Sequence, residues 1–87
     1  MPRDKRYHTV KVLIETGHIK TFAQIFEHIP VSVIYRDMGM YYSRFKRLLQ
    51  SPGLFSIAEL STLAGFIGID PKIIIGLAYE QYMKRRK

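Results

Sequence analysis

The stretch Val31-Ser32-Val33-Ile34-Tyr35-Arg36-Asp37-Met38-Gly39-Met40-Tyr41-Tyr42-Ser43-Arg44-Phe45-Lys46-Arg47-Leu48-Leu49-Gln50 decides the fold. Gly39 has no Cβ and so permits the positive φ that a sharp turn needs. Ile34 and Met38 precede it, and Met40, Phe45 and Leu48 follow it. That spacing predicts two short helices, Val31 to Met38 and Tyr41 to Gln50, buried against each other at a steep angle as in a helix-turn-helix. At about 100° per residue, Tyr41, Phe45, Leu48 and Leu49 of the second helix cluster on one side. Ser43, Lys46, Arg47 and Gln50 occupy the opposite side, with Tyr42 and Arg44 on its flanks. This face is rich in donors and carries no carboxylate. Arg or Lys can bond guanine O6 and N7, and Gln can bond adenine N6 and N7, so such a helix suits the major groove of B-DNA.

Outward from this core segment, helix signals continue in both directions and strand alternation is scarce. A first helix is expected from about Tyr7 to Thr16, closed by Gly17 in the left-handed position. Thr21-Phe22-Ala23-Gln24 has the form of a capping box and opens a second helix, which Pro30 stops. Ser51-Pro52-Gly53 reads as a loop. Ser56-Ile57-Ala58-Glu59 is another capping box, opening a helix to about Ile67 that Gly68 ends. Asp70-Pro71 supplies an N-cap and a proline at the first helical position, starting a last helix to about Met83. The expectation is an all-α fold, a compact bundle of about six short helices. It forms one domain over 1–87, with the helix-turn-helix at about 31–50 and an extra N-terminal helix at about 7–16.

Composition narrows the chemistry. The 87 residues contain no cysteine, which excludes disulfides, thiolate metal sites and cysteine nucleophiles together. Fourteen Lys and Arg against seven Asp and Glu give a net charge of +7, which suits a polyanionic partner. From Met38 to Ala58 there is no acidic residue, while Arg44, Lys46 and Arg47 sit close together. Basic clusters also mark both ends: Arg3, Lys5 and Arg6, then Lys84, Arg85, Arg86 and Lys87. No signal peptide and no membrane span are expected, and the location expected is cytoplasmic. His8, His18 and His28 fall on separate elements, without the local pairing that zinc sites use. No metal, no cofactor and no enzyme activity are expected.

From about Thr21 to Tyr79 the chain resembles the lambda-repressor-like family of helix-turn-helix regulators, of Cro and repressor type. The resemblance lies in the glycine turn, the apolar positions on each side, and the following helices Ser56-Ile57-Ala58-Glu59-Leu60 to Leu63-Ala64 and Ile69-Asp70-Pro71 to Leu77-Ala78. It implies that the helix after the turn is the recognition helix of a transcription regulator. Tyr42, Ser43, Arg44, Lys46, Arg47 and Gln50 would then be the DNA contacts, and Arg36 a phosphate contact. Two positions depart from the family. Tyr35 stands where a small residue is usual, so the helices cross more widely or the ring swings outward. Tyr41 stands where Ser or Thr usually caps the recognition helix.

A second register places the turn at Gly68, with Leu63, Ala64, Ile67, Ile69, Ile74 and Leu77 at the apolar positions. Its outward face, Pro71, Lys72, Ile73 and Gly76, offers one charged donor. The last helix is apolar around more than half its circumference, through Ile73, Ile74, Ile75, Leu77, Ala78, Tyr79 and Tyr82. Either the N-terminal helix packs on its far side, or the surplus is a subunit interface, a homodimer through Ile73 and Leu77. The same surplus would serve the alternative function, a protein–protein module of antitoxin or phage-adaptor type.

Overall fold

The computed structural model describes residues 4–85. Six helices follow one another: α1 Lys5–Glu15, α2 Phe22–His28, α3 Val31–Asp37, α4 Tyr42–Gln50, α5 Ile57–Ile67 and α6 Pro71–Arg85. A 3₁₀ turn, Pro52–Leu54, links α4 to α5, and there is no strand among the described residues.

Local chemistry sets most helix ends. Asp4 caps α1 by accepting from the Arg6 backbone N–H at 2.9 Å, so the helix begins two residues earlier than the sequence reading placed it. Thr21 and Gln24 form the reciprocal capping box of α2, and Ser56 and Glu59 that of α5. Gly39 adopts φ +72° beyond the end of α3. There the Gly39 N–H donates to the Arg36 carbonyl and the Met40 N–H to the Tyr35 carbonyl, closing α3 in a Schellman motif.

Buried side chains from all six helices make one core, and no polar or charged residue among those described is buried. Its centre is aromatic. Phe22 packs edge-on to Phe26 and Phe55, at 5.2 and 5.4 Å between ring centroids, and Phe45 meets Phe26 at 5.9 Å and Phe55 at 6.1 Å. These contacts bind α2, α4 and the end of the 3₁₀ turn together. α6 lies across α2, α5 and the 3₁₀ turn, burying Ile74 and Ala78.

α1 packs against α2 and α5, which corrects the expectation that it covers the far side of the last helix. Tyr7 and Val10 drive this: both are fully buried, and the Tyr7 ring lies 5.7 Å from Phe66 of α5. The surplus apolar surface of α6 therefore stays uncovered on its own side.

Candidate nucleic-acid interface

α4 is fixed by one face and bare on the other. Phe45 and Leu48 are buried, and the Phe45 ring is held between Phe26, Phe55 and Tyr35 of three different segments. Ser43, Lys46, Arg47 and Gln50 are all exposed. Their spacing of three, four and seven residues sets them in a single stripe opposite Phe45. Lys46 and Arg47 take part in neither of the ion pairs between described residues. Nine helical residues span about 14 Å, comparable to the width of the B-DNA major groove.

The flanking residues behave differently from the stripe. Tyr42 is half exposed, and its ring rests 5.7 Å from Tyr35. Tyr35 itself lies 6.1 Å from Phe45, so the aromatic ring fills the crossing of α3 and α4 and stays half-buried. Arg44 reaches away from the stripe to Glu59 of α5, with 2.5 Å between guanidinium and carboxylate. Burial pushes the Glu59 carboxyl upward, but the Ser56 backbone N–H and the Arg44 guanidinium outweigh it and hold the group below its ordinary value. Glu59 thus caps α5 with one oxygen and ties down α4 with the other. Arg36 is exposed near the end of α3.

Tyr41 corrects the sequence reading. It was expected beside Phe45 in the core, yet it is 84% exposed, the highest value of any large apolar side chain among the described residues. The helix begins one residue later than expected. Tyr41 occupies the N-cap in an extended conformation, φ −78° and ψ 148°, so the helical wheel does not govern its direction. The missing capping oxygen at this position was the sequence signal for an open α4 amino terminus, which makes no side-chain cap bond.

No match to this chain was found among protein-family models, curated proteins or solved structures.

α1, which precedes the segment that carries the resemblance, reaches the end of α3. The Tyr7 hydroxyl donates to Asp37 at 2.9 Å, joining the start of α1 to the end of α3. Asp37, the carboxylate nearest the turn in sequence, thereby accepts a hydrogen bond from α1. At the opposite end of α1, His18 accepts or donates through Nδ1 to the Thr16 hydroxyl at 2.8 Å. His8, His18 and His28 are exposed on separate elements, and no three His, Asp or Glu among the described residues gather in a metal-binding group. Of the basic ends, Lys5 and Lys84 are exposed, whereas Arg3, Arg86 and Lys87 lie outside the described residues. Arg6 is bonded to Asp4, whose carboxyl the Arg6 side chain lowers to about 2.

The Gly68 register also forms a helix–glycine–helix, with Gly68 at φ +90°. Its second helix, α6, is wedged among α2, α5 and the 3₁₀ turn. Ile73 is 42% exposed, while Leu77 is half-buried and packs against the core. No helix among the described residues is long and apolar enough to cross a membrane.

Proposed function

We propose that the protein binds double-stranded DNA sequence-specifically and regulates transcription by occupancy, reading the major groove with α4. One observation carries this: the exposed stripe Ser43, Lys46, Arg47 and Gln50, free of carboxylates, on a helix whose opposite face is locked into the core. In this reading Arg47, near the middle of the stripe, takes a guanine edge, and Gln50 takes an adenine edge. Tyr42 and Tyr41 meet the groove wall, and Arg36 meets a phosphate. Arg44 acts as a positioning residue, since its pairing with Glu59 fixes the tilt of α4 on α5. A fold of the helix-turn-helix repressor type accords with the Gly39 turn and the two helices it joins.

The deciding experiment is selection of bound sequences from a random duplex library. Enrichment of a short motif, lost on Arg47→Ala, is the expected result. A selection that enriches nothing overturns the reading. It would favour the second one, a protein-interaction module, which the uncovered apolar surface beside α6 supports.

A further inference from the structure

Of the six helices, α3 buries the fewest side chains. Ile34 is fully buried, where every other helix buries two residues or more. Its amino end starts at Pro30 with no side-chain cap bond, and seven residues are too few to hold a helix in water by themselves. Tyr35 fixes its flank on α4 at the aromatic crossing, 6.1 Å from Phe45. A helix held at one crossing can still swing about it. A second hold lies at its carboxyl end, where the Tyr7 hydroxyl donates to Asp37 Oδ2 at 2.9 Å. Tyr7 makes that bond from a fixed place: it is 1% exposed, and its ring lies against Phe66 of α5.

Asp37 stands there against local preference. A carboxylate on the last residue of a helix faces the negative end of the helix dipole. Neither of the ion pairs between described residues supplies it with a cation. A residue that breaks a local rule is expected where it serves a site. The residue before it is Arg36, exposed on the same last turn. We propose that Tyr7 and Asp37 are positioning residues for the phosphate contact of Arg36: their bond docks the end of α3 on α1 and stops the swing that would carry Arg36 off the DNA backbone. This rests on the DNA reading above. It makes α1 part of the DNA-binding unit, although α1 lies outside the helix-turn-helix segment.

Two measurements on the full chain separate the hold from the contact. Amide hydrogen exchange without DNA reads the hold. Met38, Gly39 and Met40 donate to the carbonyls of Ile34, Arg36 and Tyr35 and close α3. In Tyr7→Phe, which keeps the ring and removes only the hydroxyl, these three amides should exchange at least about fivefold faster. The Ser51 amide, which closes α4 on the Arg47 carbonyl, should be unchanged. Asp37→Asn should behave as wild type, because its amide oxygen still accepts from the hydroxyl. Asp37→Ala, at an exposed position, should match Tyr7→Phe and decides the matter if that variant unfolds. Duplex titration across salt reads the contact. Tyr7→Phe should weaken selected and random duplexes alike, at least about threefold at low salt, and lower the salt slope by up to about 0.9. In an Arg36→Gln background the same substitution should change neither, since the contact it positions is gone. Ser51 exchanging faster together with the turn would mark a general loss of stability and overturn the proposal. Unchanged turn exchange in Tyr7→Phe overturns it too, as does a loss of slope that persists without Arg36. Faster turn exchange in a chain that binds no duplex overturns the role toward Arg36 together with the DNA reading, and leaves only the hold of α1 on α3.

Discussion

Arg44 and Arg47 stand three residues apart on α4, yet their surroundings separate their effects. Arg47 is exposed on the stripe, where a bidentate guanine contact is worth about 1–3 kcal/mol of discrimination. Arg47→Ala is expected to cut the preference for a selected duplex over random sequence by about 5- to 150-fold, with random-sequence affinity little changed. Competition titration with both duplexes measures this; equal losses on both would remove Arg47 as a base reader. Arg44 is paired with Glu59 on a partly exposed surface, a contact worth about 0.2–1 kcal/mol. Glu59→Gln should keep the capping box, because Gln also serves at that position, and lose only the ion pair. The folded-state pKa of Glu59 lies below its ordinary 4.5, so the pair stabilises above that value. Its contribution disappears as pH falls through the lower, folded-state pKa. The melting-temperature gap between wild type and Glu59→Gln should accordingly be present at pH 7 and close in acid. A gap that widens on acidification would contradict the pairing. Arg44 also marks a limit of sequence reading: its partner lies fifteen residues away on another helix, and nothing in the local pattern of α4 points to it.

At the scale of elements, the turn between α3 and α4 depends on Gly39 for its backbone conformation and not for space. A Cβ there would meet nothing within 4 Å, but φ is +72°. Gly39→Val should destabilise the fold by at least about 1 kcal/mol, because a β-branched side chain is strained at positive φ. Gly65, inside α5 with open space around it and ordinary backbone, makes the contrast. Gly65→Ala should stabilise by about 0.5–1 kcal/mol through helix propensity. Thermal or urea unfolding of the two variants tests the pair, and an unchanged Gly39→Val would mean the turn tolerates a side chain. The elements were legible from sequence because their determinants are local. Thr21 with Gln24, Ser56 with Glu59, and the glycines 17, 39 and 68 each act within a few residues. What was not legible depends on distant packing. The wheel gave Tyr41 to the core, but the helix starts after it. The surplus on α6 did not show that Tyr7 would take α1 to α5 instead. For the candidate site, the stripe Ser43, Lys46, Arg47 and Gln50 followed from periodicity alone, whereas the bond from Tyr7 to Asp37 needed α1 brought to the end of α3.

For the whole molecule, the proposed DNA binding would draw its affinity from the +7 charge and its choice of sequence from the α4 stripe, and salt separates the two. Each phosphate neutralised by a cation releases counterions, so the logarithm of the binding constant falls with the logarithm of salt by about 0.9 per contact. Arg36 is exposed on α3, just before the turn that leads into α4, and bears no base-reading role in the proposed docking. Arg36→Gln should weaken selected and random duplexes alike and reduce the salt slope by about 0.9. Removing Lys84 to Lys87 should act in the same sense, by about 0.9 for each phosphate those residues contact. In both variants the ratio of selected to random binding should stay constant across the salt series, because phosphates carry no sequence information directly. Titrations from low to moderate salt on the two duplexes give slope and ratio from one data set. If Arg36→Gln leaves the slope intact, α3 does not lie along the backbone. If it changes the ratio, Arg36 reads bases, and α4 sits deeper at its amino-terminal end, where the exposed Tyr41 would then enter the groove.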